Sequence, residues 1–225
     1  MKELLNQNRR DFIKMGLGLT GFMTLGPSLK AVEKLCGKTP LQPEGPFYPV
    51  DDQLDKDTDL TFLTGHSERA KGQVIYVRGS VTDNDCKPIN GVLVEIWQAC
   101  ASGKYNHPGD RDNPAPLDPH FQYWGKTVTD SSGKYLFKTI HPGSYPAGEG
   151  WIRPSHIHFK LQKRGFLELI TQMYFEGDKY NNTDRILQRL KPEERTSVIV
   201  KPETPTEGFD PNSKSYTFNI GITQV

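Results

Sequence analysis

The alternation of apolar and polar residues in "GQVIYVRGSVTDNDCKPINGVLVEIWQA", from Gly72 to Ala99, predicts two strands joined by a polar turn around Asp83 to Asn90. In the second strand Val92, Val94 and Ile96 fall on one face. "GKTVTDSSGKYLFKTIHPGSYP" repeats the arrangement: a strand to Thr129, a turn at Asp130 to Gly133, and a strand to Lys138 before a proline-glycine turn. Further strands are expected at "SHIHFKLQ", "LELITQMYF", "TSVIV" and "SYTFNIGI". About eight short strands with turns at regular intervals point to an all-β, antiparallel β-sandwich. Residues 183–194, "TDRILQRLKPEE", place threonine and aspartate ahead of a short helical pattern, so little helix is expected.

Two stretches break the rhythm, Ala99 to Tyr123 and Pro142 to Pro154. Both are too long and too rich in Pro, Gly, Asn, His and Tyr to be simple connections, and long loops on a rigid sandwich are where sites usually lie. The 225 residues suffice for one sizeable core, and 21 glycines with 17 prolines favour short strands and turns over a helical bundle. Lys plus Arg at 28 against Asp plus Glu at 27 leaves a net charge of +1, with no basic stripe to follow a phosphate backbone, so nucleic acid is not an expected partner.

The start of the chain is of another kind. "NQNRRDFIKMGLGLTGFMTLGPSLKA" has paired arginines followed by a short, glycine-rich apolar run and resembles a twin-arginine export signal. Residues 1–32 are therefore read as an export signal and residues 33–225 as the folded domain. The expected partner in export is the twin-arginine translocase and the expected location periplasmic or extracellular, with an uncleaved N-terminal anchor as the alternative. That route carries folded proteins, which suits a protein loaded with a cofactor before export. In an oxidising compartment Cys36, Cys86 and Cys100 supply one disulfide and one spare thiol. Cys86 and Cys100 would stand roughly 30 Å apart at the two ends of a strand, so a bridge has to involve Cys36, with either partner open.

Candidate chemistry centres on "WIRPSHIHFK". On a strand His156 and His158 project together while Ile157 and Phe159 face the other way, and two parallel imidazoles suit a metal. The second long loop, with Tyr145 in "PGSYPAGEG", runs directly into this strand, and the first carries Tyr105 in "SGKYNHPGD". Phenolate is a hard anionic donor whose proton only a strongly charged cation displaces, and Fe(III) is the common biological choice. A zinc hydrolase built on His-x-His and a carboxylate is a weaker alternative, because no third ligand of that kind stands near these loops.

The blocks "EGPFYP", "GVLVEIWQACASGKYNH", "DPHFQYWGKTVTDSSGKYLFKTIHPGSYP", "WIRPSHIHFKL" and "LITQMYFEGD", in that order between about Thr39 and Ile222, resemble the intradiol ring-cleavage dioxygenases. These include the catechol 1,2-dioxygenases and protocatechuate 3,4-dioxygenases, and the export signal looks most like an exported branch. The resemblance implies a prealbumin-like sandwich that holds non-haem Fe(III) through Tyr105, Tyr145, His156 and His158, with Tyr145 and His158 axial. It implies cleavage of a catechol-type substrate by O2 to a cis,cis-muconate-type diacid. Tyr145 would take a substrate proton, Arg153 would stabilise negative charge and Gln172 would stand behind the ligands. Pro46, Phe47 and Tyr48 would wall the pocket. It also implies a homo-oligomer, for which the sequence identifies no patch.

One departure is Ala147, where two-subunit protocatechuate enzymes place tryptophan, so ring substituents are not inherited by analogy. Lys104, Arg111 and Arg164 are candidates to meet a substrate carboxylate, and His107, His120 and His141 are read as solvated or structural. "VTDSSGKYLFKTIHPGSY" also resembles non-catalytic prealbumin-like binding modules of exported proteins, the alternative reading.

Overall fold

The computed structural model describes residues 37–225; the export-type segment at residues 1–32 lies outside them, as does Cys36. β1 (Val74–Thr82) is the spine of one sheet. Along one edge it pairs antiparallel with β4 (Lys134–Ile140), and along the other β10 (Lys214–Thr217) and β11 (Ile220–Gly221) follow one another, both parallel to it. The second sheet runs in the order β3 (Trp124–Val128), β2 (Leu93–Trp97), β7 (His156–Gln162), β8 (Leu169–Phe175) and β9 (Ile199–Val200). It is antiparallel except for its last pair. A short hairpin of β5 (Tyr145–Gly148) and β6 (Trp151–Arg153) stands apart.

The period-two alternation decides what each sheet buries. Ile75, Val77 and Phe137 of the first sheet and Val94, Ile96, Ile157, Phe159 and Met173 of the second belong to one fully buried core. Each such side chain is worth about 1.5–3 kcal/mol of burial, so this layer holds the sandwich together. The opposite face of the second sheet carries three cross-strand rows set by register: Val128 beside Leu93 and Gln162, then Lys126 beside Glu95 and Lys160, then Trp124 beside Trp97, His158 and Gln172. The third row is roofed by loops.

The all-β sandwich expected from the pattern is observed, with four local corrections. Eleven strands form among the described residues, several of them only two to four residues long, and three pairings are parallel. "TSVIV" is not one strand: residues through Val198 complete helix α1 (Pro192–Val198), and only Ile199 and Val200 are extended. Pro192 in the first turn and the Glu194 carboxylate accepting from Lys191 N outweigh the β-branched residues that follow. The helical pattern in 183–194 yields a 3-10 turn at Leu187–Arg189 instead, capped by Asp184, whose Oδ1 accepts from Ile186 N and Leu187 N. "SYTFNIGI" splits at Phe218–Asn219, where the Asn219 side chain rather than its backbone accepts from Ser80 N. Cys100 is buried and free while Cys86 is disulfide-bonded, which removes Cys100 as the bridged cysteine.

Candidate active site

His156 and His158 lie on the roofed face of β7, with Ile157 and Phe159 in the core behind them, as the alternation predicts. Their Nε2 atoms are 3.2 Å apart. His156 Nδ1 donates to Pro154 O at 2.6 Å, which leaves its Nε2 unprotonated, an acceptor turned toward His158 Nε2. The His158 ring is stacked on Trp97, its neighbour in β2, with centroids 4.7 Å apart.

Two tyrosines reach this pair from the two long loops. Tyr145 begins β5, its ring centroid 5.6 Å from His156 and 5.4 Å from Tyr105. The loops meet backbone to backbone two residues before each tyrosine. A Cβ on Gly143 would fall 2.4 Å from Gly103 N, and one on Gly103, whose φ is +84°, would fall 2.4 Å from Ser144 O. The Gly-x-Tyr shared by "SGKY" at Ser102–Tyr105 and "PGSY" at Pro142–Tyr145 marks this contact, but "SGKY" recurs at Ser132–Tyr135, where Tyr135 lies in the core, so the sequence alone does not single it out. Lys104 and Asp110 then pin the first loop: Lys104 Nζ donates to the carbonyls of Asp110 and Asn113, and Asp110 Oδ2 accepts from Tyr105 N at 2.7 Å.

All four side chains are at most 4% exposed. Burial, helped by the neighbouring Arg153, drives both imidazoles well below their usual pKa, so they are neutral. Burial likewise pushes both phenols up, Tyr105 further raised by Tyr145 and each drawn partly back by Arg153. Tyr105 Oη and His158 Nδ1 have no hydrogen-bond partner among the described residues. Two neutral imidazoles, one with an unprotonated Nε2, and an orphaned phenol oxygen form a donor set that fits a cation, whose charge would reverse the upward push on the phenols. Among the described residues no three His, Cys, Asp or Glu side chains gather into a metal site. The two phenols are the oxygen donors that stand beside the imidazoles here.

Arg153 lies across from Tyr145 in the β5–β6 hairpin and is buried. Its Nη2 donates to Gln172 Oε1 at 2.5 Å, and its Nε to Asp184 Oδ2 at 2.7 Å. Gln172, opposite His158 in β8, donates to Pro43 O and so ties the 42–48 segment over the site. In that segment Phe47 stacks on Tyr105 at 4.5 Å and meets Tyr145 edge-on, while Tyr48 stands edge-on to Trp97 and Pro46 is exposed at the rim. Asp184, Tyr174 and Trp97 are members of this neighbourhood that sequence reasoning missed.

A cleft of about 440 Å³ opens beside Tyr105, lined also by Pro49, His107 and Arg111. Of the three candidate cations, only Arg111 is left exposed in it, because Lys104 is engaged with carbonyls and Arg164 lines a separate cleft with Leu93 and Val128. His107 accepts from Gly109 N, His120 meets Glu68, and His141 packs on Phe175.

The chain matches the dioxygenase family Dioxygenase_C over residues 43–224. It is 40% identical over 181 residues to the protocatechuate 3,4-dioxygenase beta chain of Burkholderia cepacia, covering 78% of this chain and 75% of that one. To the catechol 1,2-dioxygenase of Candida albicans it is 30% identical over 195 residues, 81% of this chain and 62% of that protein. Among solved structures, the dioxygenase domain of a dioxygenase carbohydrate-binding protein fusion from Streptomyces sp. SirexAA-E superposes with a TM-score of 0.62 at 28% identity, covering 84% of this chain and 100% of that chain. With the family match and the sequence identity extending over most of its length, the chain belongs to the intradiol ring-cleavage dioxygenases.

Proposed function

We propose that this enzyme is a ferric, non-haem dioxygenase that opens a catechol-type ring between its two hydroxyl-bearing carbons, consuming O2 and releasing a cis,cis-muconate-type diacid. The observation that carries the reading is the convergence of two phenols and two neutral imidazoles at one buried point beside a guanidinium. Tyr105, Tyr145, His156 and His158 hold the iron in this reading. Ferric iron, when bound, supplies the positive charge that keeps phenols ionised and makes a catecholate reactive toward O2. Tyr145 Oη would serve as the acceptor for a proton from a catechol hydroxyl. Arg153 presents a fixed positive charge to the negative charge that develops on the ring oxygens. Phe47 and Tyr48 shield the ring from water. The N-terminal segment supports export of the loaded protein through the twin-arginine translocase to the periplasm or beyond.

The test is turnover in 18O2. Protein loaded with ferric iron is expected to take up one O2 per catechol and to place both labelled atoms in a ring-opened diacid. Cleavage beside the hydroxyl pair, or no uptake with catechol, protocatechuate or hydroxyquinol, contradicts the proposal.

A further inference from the structure

We propose that Asp184 is a positioning residue for ring cleavage: its carboxylate fixes the Arg153 guanidinium edge-on so that Nη1 is left to face the substrate. The inference rests on the dioxygenase reading above and adds a residue to it.

Asp184 is fully buried, and its two oxygens are spanned by four donors. Oδ2 accepts from Arg153 Nε at 2.7 Å and from Trp151 Nε1 at 3.3 Å. Oδ1 accepts from the backbone N–H groups of Ile186 and Leu187 at 3.1 and 2.7 Å. A carboxylate held on both oxygens cannot rotate, so it serves as a fixed mount. Arg153 is gripped at a second point by Gln172 Oε1, at 2.5 Å from Nη2, with Tyr174 Oη at 3.4 Å. Gln172 is in turn registered against His158, and Arg153 against Tyr145. Nε and Nη2 are thereby committed, and Nη1 makes no hydrogen bond to any described residue.

A guanidinium helps a transition state only if it is already in place when charge develops. Without Asp184 the fork keeps its charge and loses its orientation.

The competing role for Asp184 is purely structural, neutralising a buried charge and capping the 3-10 turn at Leu187–Arg189. A double-mutant cycle separates the two roles. Asp184→Asn, Arg153→Ala and the double variant are compared in kcat, in iron per chain, and in anaerobic catechol affinity by titration. If Asp184 works through Arg153, Asp184→Asn loses about 10-fold to 100-fold in kcat with iron content unchanged, and the double variant is no slower than Arg153→Ala. Losses that multiply in the double variant, or loss of iron in Asp184→Asn, overturn the proposal. Should Asp184→Asn not fold, the cycle is run with Asp184→Glu, which keeps the charge and shifts the carboxylate by one methylene; full activity there also overturns it. If wild-type protein cleaves no catechol, the dioxygenase reading has failed, and the positioning role is still decided by whether the two substitutions are non-additive in catechol affinity.

Discussion

Two pairs of histidines in this protein have ring nitrogens 3.2 Å apart, and they could hardly be set more differently. His66 and His120 meet at the surface between two loops, with Glu68 on the far nitrogen of His120. His156 and His158 meet on a central strand, under a roof of loops, with a carbonyl fixing one tautomer and an indole stacked on the other ring. The distance is the same, yet only the buried pair has phenols converging on it and a guanidinium beside it. A close pair of imidazoles is thus cheap to make by chance at a surface. What marks a site is the number of other groups the fold has brought to the same point and the burial that leaves them without alternative partners.

That contrast can be broken or sharpened by substitution. The largest effect is expected for His158→Ala, which should leave the protein without iron and without turnover, measured as iron per chain after ferric loading; retention of a full complement contradicts the ligand set. Phe159→Ala, on the core face of the same strand, should cost about 3–5 kcal/mol of folding stability by denaturant titration, showing how far the site depends on the layer behind it. Tyr145→Phe should keep iron on three protein ligands while slowing turnover roughly 100-fold, because only the proton-accepting phenolate is lost. Gly143→Ala pushes the two tyrosine loops apart at Gly103 N, and a fall in iron affinity of about 10-fold is expected from chelator competition. His120→Ala is the control: a change within about 0.5 kcal/mol in stability and none in iron content.

The two histidines were readable because a strand sorts its side chains with a period of two, a rule that local sequence obeys. Tyr105 and Tyr145 were assigned through family resemblance, since no local rule says that two loops 40 residues apart will touch; their Gly-x-Tyr spacing records that contact but is interpretable only once the close approach of Gly103 and Gly143 is known. Arg153 too was assigned through family resemblance, and its counter-ion lies 31 residues further on at the edge of a 3-10 turn, where an aspartate reads as a helix cap. Asp184 is in fact both, one oxygen to each task. The helix at Pro192–Val198 was missed for a related reason: Thr196 and Val198 favour a strand by type, but capping upstream had already committed the turn.

The most direct test of the central claim, that phenols and imidazoles at this point hold ferric iron and yield a place to catechol, is the visible absorption spectrum of the purified, ferric-loaded protein before and after anaerobic addition of catechol. A broad tyrosinate-to-iron(III) band that moves to longer wavelength with catechol is the predicted result. A protein that stays colourless after ferric loading, or whose band ignores catechol, contradicts it.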